Sequence, residues 1–223
     1  MEFGYWGIKG RGESIRWLIA YTGADVKEWN PADLQAWVAR KPETGPFPNL
    51  PFLIDGDVKI TESGAIPYYI IHKTGKTELL GKTIQDSARI RQIEGVFTDI
   101  QDSLLKVLGS GPDFTAAIAK TLEPTAAVAT KIAQLSAFLG EKDFFLGYLT
   151  WADLKAVAGA RVLQSLALSL GQPCPFAKYA NLESLIKRVE ALPAIQPRVA
   201  ASLAVPFFPP QLVPFPLKTQ AEF

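Results

Sequence analysis

One cysteine, one histidine and one methionine among 223 residues remove several chemistries at once. Cys174 alone forms no intrachain disulfide, no CxxC redox pair and no cysteine-based metal site. It stands in Gln172-Pro173-Cys174-Pro175 with no histidine or cysteine near it in sequence, and reads as a packing or surface thiol. With His72 the only histidine, a histidine-based triad uses it or does not exist. An excess of either charge is also missing. The chain has 23 Lys and Arg against 22 Asp and Glu, net +1, which argues against a nucleic-acid or strongly anionic partner. No apolar run reaches the roughly 18 residues that span a bilayer, and the N-terminus lacks the charged-then-apolar layout of a signal peptide. Together with the cysteine count, this predicts a cytoplasmic protein. Gly10-Arg11-Gly12 has neither GxxG spacing nor a following GK[ST], so it is not a phosphate loop. Internal repeats and low-complexity segments are absent.

The N-terminal third is dense in local signals. Glu2 to Gly7 reads as a strand and Ile8 to Gly12 as a turn. Ser14 to Thr22 carries Ile15, Leu18 and Ile19 at helical spacing, and Gly23 closes it. Val26 to Trp29 reads as a second strand and Pro31 to Lys41 as a short helix. Phe47 to Ile66 is the most telling stretch: FPNLPFLIDGDVKITESGAI. Asn49-Leu50-Pro51 turns into the strand Phe52-Leu53-Ile54, Asp55-Gly56 reverses the chain, and Val58-Lys59-Ile60 returns. Thr61-Glu62-Ser63-Gly64 then opens a helix whose free N–H groups would suit a carboxylate. A cis Pro51 would turn the preceding backbone outward, ready to pair with an extended peptide. The order is βαβαββα, predicted to occupy residues 1–75, with a linker over Thr74 to Lys82. Every segment of residues 83–223 before the tail reads as helix: Ile84 to Leu108, 115–139 with a break at Pro124, Trp151 to about Leu170, 182–191 and 194–203. Thr150-Trp151-Ala152-Asp153 is a capping box. The proline-rich tail from Val205 to Pro216 cannot be a regular helix and reads as extended chain packed over the body.

These segments carry a resemblance. GYWGIKGRGESIRWLIAYTG, followed by Trp37-x3-Lys41, FPNLPFLIDG and KITESGAI, resembles a cytosolic glutathione transferase of the mu class over nearly the whole chain. The resemblance implies a thioredoxin-like domain followed by an all-α domain. It also implies a homodimer and reduced glutathione as co-substrate, with no metal or other cofactor. Tyr5 matches the catalytic tyrosine, whose hydroxyl would donate to the thiolate. Trp6 and Trp37 would line the glycyl end of glutathione, and Lys41 would meet its carboxylate. Asn49 and Leu50, ahead of Pro51, would contact the middle of the peptide. Glu62 and Ser63 would hold the γ-glutamyl end, with Asp99 of the partner subunit on its amine. Phe47 matches an aromatic key that inserts into the other subunit. By position, Trp6, Ile8, the turn from Lys9 to Gly12, Leu104, Leu108 and the tail around Phe207 and Phe208 would line the electrophile site.

The chain also departs from the class. Glu62 stands where glutamine is usual, Leu34 where many relatives carry a base, and His72 where an interface arginine is usual. Small residues near Gly109-Ser110 replace a second, assisting tyrosine. With these departures, the resemblance still implies an enzyme that conjugates glutathione to apolar electrophiles. Alternatives of another class are a glutathione- or ligand-binding protein without turnover and a carrier of apolar compounds. A glutathione-dependent isomerase is a further alternative.

Overall fold

A computed structural model of the chain describes residues 1–107, 113–123, 126–203 and 205–206. Leu108, Gly109 to Pro112, Pro124 and the tail beyond Pro206, with Phe207 and Phe208, lie outside the described residues.

Four short strands form one mixed sheet in the order β2-β1-β3-β4. β1 (Glu2–Gly4) runs parallel to β2 (Lys27–Trp29) and antiparallel to β3 (Phe52–Asp55), which pairs with β4 (Val58–Thr61). β1 is shorter than its apolar sequence predicts, because the chain leaves the ladder after Gly4. A 3₁₀ turn at Gly10–Gly12 leads into α1 (Glu13–Thr22), which ends at Gly23 with φ +65°. Gly23 adopts this left-handed geometry without a Cβ penalty. α2 (Leu34–Arg40) begins three residues later than predicted. Its start is set by Asp33, whose carboxylate accepts from the Ala36 N–H at 2.8 Å. The hairpin turn is Gly56-Asp57 rather than Asp55-Gly56, since Asp55 still pairs with Val58 and only Gly56 takes positive φ. The Leu50–Pro51 bond is cis.

The largest local correction concerns the segment after β4. Thr61 is still strand, and α3 covers Ile66–Lys73 rather than opening at Thr61-Gly64. Glu62 has φ +74°, which no helix admits, and its carbonyl accepts from Ala65 and Ile66 N–H in a turn. Pro67 in the first helical turn costs no hydrogen bond there.

The helical region follows: α4 (Ile84–Lys106), α5 (Phe114–Thr121), α6 (Ala127–Leu139), α7 (Trp151–Ser169), α8 (Ala180–Glu190) and α9 (Gln196–Leu203). α7 is buried along most of its length and packs against α1, α4 and α8. A capping box of Thr150 and Asp153 starts it. The Asp153 carboxylate accepts from the Thr150 N–H and hydroxyl, both at 2.8 Å, and from the Phe145 N–H at 2.9 Å. One apolar core runs from Phe3, Trp17 and Ile70 through Ile90 and Phe97 to Trp151, Leu163 and Val189. No helix among the described residues is long and apolar enough to cross a membrane.

Candidate functional site

Strand register sets the site. Gly4 lies opposite Phe52, and Phe52 opposite Thr61. The next residue along each strand therefore brings Tyr5, Pro51 and Glu62 to one end of three neighbouring strands. On the other side of β1, Asn30 follows Trp29. It donates from Nδ2 to the Tyr5 carbonyl at 2.8 Å, while the Tyr5 N–H reaches the Trp29 carbonyl at 3.1 Å.

The Tyr5 ring is nearly buried, at 6% exposure, in a slot made by the 3₁₀ turn. A Cβ on Gly12 would stand 2.5 Å from ring carbon Cδ1, and one on Gly10 would stand 2.5 Å from the hydroxyl. Only glycine permits this approach. The Arg11 N–H donates to the Tyr5 hydroxyl oxygen at 2.8 Å. Burial raises the phenol pKa above its ordinary value, opposed by the Arg11 N–H and the charges of Arg11 and Arg16. Tyr5 is therefore a protonated donor at neutral pH. The Arg11 side chain crosses to α4 and pairs with Asp102 at 2.7 Å, and Gln101 donates to the Gly10 carbonyl at 2.8 Å.

The predicted residues grade from buried to open. Trp37 and Pro51 are buried, Trp6, Leu50 and Ser63 half-buried, and Lys41, Asn49 and Glu62 exposed. Trp37 and Lys41 are joined through α2, whose last turn carries a bond from the Lys41 N–H to the Trp37 carbonyl. Asn49 bridges two neighbours. Its Oδ1 accepts from the Leu50 N–H at 2.9 Å and its Nδ2 donates to Glu62 at 3.2 Å. An extended peptide pairing with Leu50 would take over that N–H. Asp99 is not gathered with the others. It is exposed on α4 and paired with Lys131 of α6 at 2.6 Å.

Of the positions predicted for the apolar side, Ile8 is buried beside the Tyr5 loop. Leu104 is buried and faces a cavity of about 30 Å³ between α1, α4 and α7, shared with Gly10, Phe97 and Lys155. Leu108 and Phe208 lie outside the described residues. Sequence reasoning passed over Asn30 and Arg16, which hold Tyr5 and its loop from behind. The signal available for Arg16 was a cation beside Ile15 on an otherwise apolar helix.

Comparison with known proteins decides the family. Residues 1–72 match the model for the glutathione S-transferase N-terminal domain. The chain is 33% identical over 204 residues to glutathione S-transferase Mu 4 of Mus musculus, covering 87% of this chain and 88% of the relative. This chain belongs to the glutathione S-transferase family. It is also 34% identical over 207 residues to glutathione S-transferase 2 of Gallus gallus, covering 87% of each. Among solved structures, rat hPGDS complexed with a quinoline superposes with a TM-score of 0.76 at 26% identity, covering 90% of this chain and 96% of that one. The glutathione S-transferase fold, a thioredoxin-like sheet domain followed by helices, is thus common to the chain and its relatives. Among the described residues, no group of histidine, cysteine and carboxylate side chains could hold a metal ion.

Proposed function

We propose that this glutathione S-transferase conjugates the thiolate of reduced glutathione to hydrophobic electrophiles, with Tyr5 as the residue that stabilises the thiolate. The observation carrying the reading is the Tyr5 hydroxyl. The Arg11 N–H occupies one lone pair and burial keeps the proton on. The O–H is left to donate to a sulfur placed beside Pro51.

The required effect is moderate. A free thiol titrates near pH ~8.5, and lowering that by roughly two units takes about 2.7 kcal/mol of selective anion stabilisation. One preorganised donor in a partly dry site supplies energies of this order. The sulfur then attacks the electrophile, forming a carbon–sulfur bond. In a substitution the leaving group departs with its electron pair, and the thiol proton goes to solvent.

Glutathione would lie extended across the strand ends, pairing with the backbone of Leu50 ahead of Pro51. Trp6, Trp37 and Lys41 take the glycyl end, Asn49 the middle, and Glu62 and Ser63 the γ-glutamyl end. Asp99 of the partner subunit would reach the amine after exchanging its pairing with Lys131. The electrophile occupies the side formed by Ile8, Leu104, Leu108 and Phe208. We assign residues 1–75 to glutathione binding and 83–223 to the helical domain. The working form is a cytoplasmic homodimer with glutathione as co-substrate and no metal.

The test is turnover of glutathione with a chloro-dinitrobenzene across pH, for wild type and Tyr5→Phe. Loss of roughly 10²-fold in kcat, with the pH optimum moved upward, is the expected result. A second reading, a binding protein without turnover, is favoured by one observation. The Leu50 N–H that should pair with glutathione is already satisfied by Asn49. Absence of turnover, with or without retention on immobilised glutathione, would select it.

A further inference from the structure

Arg16 lies behind the Tyr5 loop and meets Trp6 and Ile8 through their backbone carbonyls. Its side chain is only 5% exposed, and its guanidinium is used from every side. Nη1 donates to the Ile8 carbonyl at 2.7 Å and Nη2 to the Trp6 carbonyl at 2.9 Å. Nε donates to Glu28 at 2.7 Å, and Nη2 lies 2.6 Å from the same carboxylate oxygen. The guanidinium carbon is 5.8 Å from the centre of the Tyr5 ring and 5.9 Å from that of Phe3.

We propose that Arg16 is a positioning residue for the thiolate-stabilising step: it clamps the backbone on both sides of Gly7 and sets the donor strength of the Tyr5 hydroxyl. This rests on the proposed role of Tyr5. Two physical effects act together. The fork fixes the carbonyls of Trp6 and Ile8, so the chain reaches Gly10 to Gly12 in the register that puts the Arg11 N–H on the Tyr5 oxygen. A shift of a few tenths of an ångström would loosen that bond, since hydrogen-bond strength falls steeply with distance and angle. The buried positive charge also faces the back of the phenol ring and favours negative charge at its oxygen, which makes the O–H a better donor.

The other charges near this pair are few. Arg11 stands beside the hydroxyl and is balanced by Asp102. Glu13 lies 3.6 Å from Arg16, and Arg198 of α9 saturates it at 2.7 Å. Glu28 comes from β2. Lysine at position 16 keeps the charge but cannot hold two carbonyls and a carboxylate at once, because its ammonium lacks the planar fork. Glutamine loses the charge and keeps part of the donor set. The two variants therefore separate the clamp from the field.

The experiment measures the pKa of the enzyme-bound glutathione thiol from thiolate ultraviolet absorbance. It also measures kcat, KM for glutathione and melting temperature, for wild type, Arg16→Lys, Arg16→Gln and Glu28→Gln. A wild type that binds glutathione without lowering its thiol pKa overturns the role of Tyr5, and this proposal with it. Given a lowered wild-type value, both Arg16 variants should raise the thiol pKa and cut kcat about tenfold, with KM changed less than twofold. The larger pKa rise is expected for glutamine. A lower melting temperature with an unmoved thiol pKa in the folded variants would mean that Arg16 is structural only. If neither Arg16 variant folds, Glu28→Gln decides. It keeps an amide oxygen for Nε but removes the carboxylate that offsets the Arg16 charge, so the thiol pKa should fall, and an unmoved value overturns the proposal.

Discussion

Lys9 carries a cation into the protein interior. Its side chain is fully buried, and Nζ finds no hydrogen-bond acceptor among the described residues. Burial lowers its pKa to about 8, although Glu13 nearby pulls the other way, and the cations of Arg198 and Arg161 add to the lowering. A buried ammonium without direct partners is a cost. Lys9→Met, of similar length and apolar, should therefore stabilise the fold by about 1–2 kcal/mol at pH 7, read by urea unfolding. The sign with pH follows. The folded state binds the Lys9 proton less tightly than the unfolded chain does. Wild-type stability contributed by this group thus rises between about pH 8 and the ordinary lysine value, and the gain from Lys9→Met shrinks there. A variant less stable than wild type at pH 7 would show that the amine holds a favourable interaction. This burial is not legible in Ile8-Lys9-Gly10-Arg11-Gly12, which looks like a solvated turn. The Lys9 N–H is tied to the Pro206 carbonyl at 2.7 Å, and it is contact of this long-range kind that encloses the turn. Tyr5 was singled out through the resemblance, which matches it to the tyrosine of the GYW motif. Arg16 and Asn30 were not, because their importance comes from bonds to residues 8 to 25 positions away.

At the scale of elements, the local chemistry of caps was the most reliable guide. Gly23 ends α1 and the Thr150–Asp153 box starts α7, both as the residues indicate. The same pattern recurs at Thr83 and Asp86, where it starts α4. α3 was misplaced because Glu62 takes a left-handed φ that nothing in Thr-Glu-Ser-Gly announces; neighbouring strand pairing and the turn impose it. Asp153 makes the α7 cap testable. Burial raises its carboxyl pKa to about 6, against the bonds from Phe145 and Thr150 that favour the ionised form. The folded state therefore binds the proton more tightly than the unfolded chain, whose carboxyl titrates near ~3.9. Between about pH 4 and 6 this group's contribution to stability falls as pH rises, by up to roughly 3 kcal/mol. Asp153→Asn removes the titration and leaves the Thr150 N–H facing an amide that can donate as well as accept. It should cost about 2 kcal/mol at pH 7. Its deficit relative to wild type should be larger at pH 4 than at pH 7, as measured by urea unfolding at both. A deficit that grows with pH would show that the hydrogen bonds outweigh burial in setting the Asp153 pKa.

At the scale of the whole molecule, the sheet region and the helices are bound through the site itself. Arg11 reaches Asp102, Gln101 reaches Gly10, Tyr68 donates to Glu94 at 2.9 Å, and Arg198 holds Glu13. The boundary expected between residues 75 and 83 is thus crossed by ion pairs and hydrogen bonds. Outward, the molecule leaves a ring in water. Phe47 is 76% exposed on a loop that is pinned by the Thr61 hydroxyl donating to its carbonyl at 2.7 Å. Burying such a ring contributes about 1.5–3 kcal/mol, and a fixed loop has little entropy left to lose on docking. A second copy of the chain is the occupant we propose, with Asp99 of the partner subunit reaching the γ-glutamyl amine across the same interface. Phe47→Glu places a charge where the ring would be buried. It should convert the dimer to a monomer in sedimentation velocity at micromolar concentration, while leaving the far-ultraviolet circular dichroism unchanged. KM for glutathione should rise with the loss of the partner, by about tenfold for one charged contact. A variant that stays dimeric overturns the role of Phe47. A monomer with an unchanged KM overturns that of Asp99 and leaves Glu62, on the same chain as Tyr5, as the carboxylate that meets the amine.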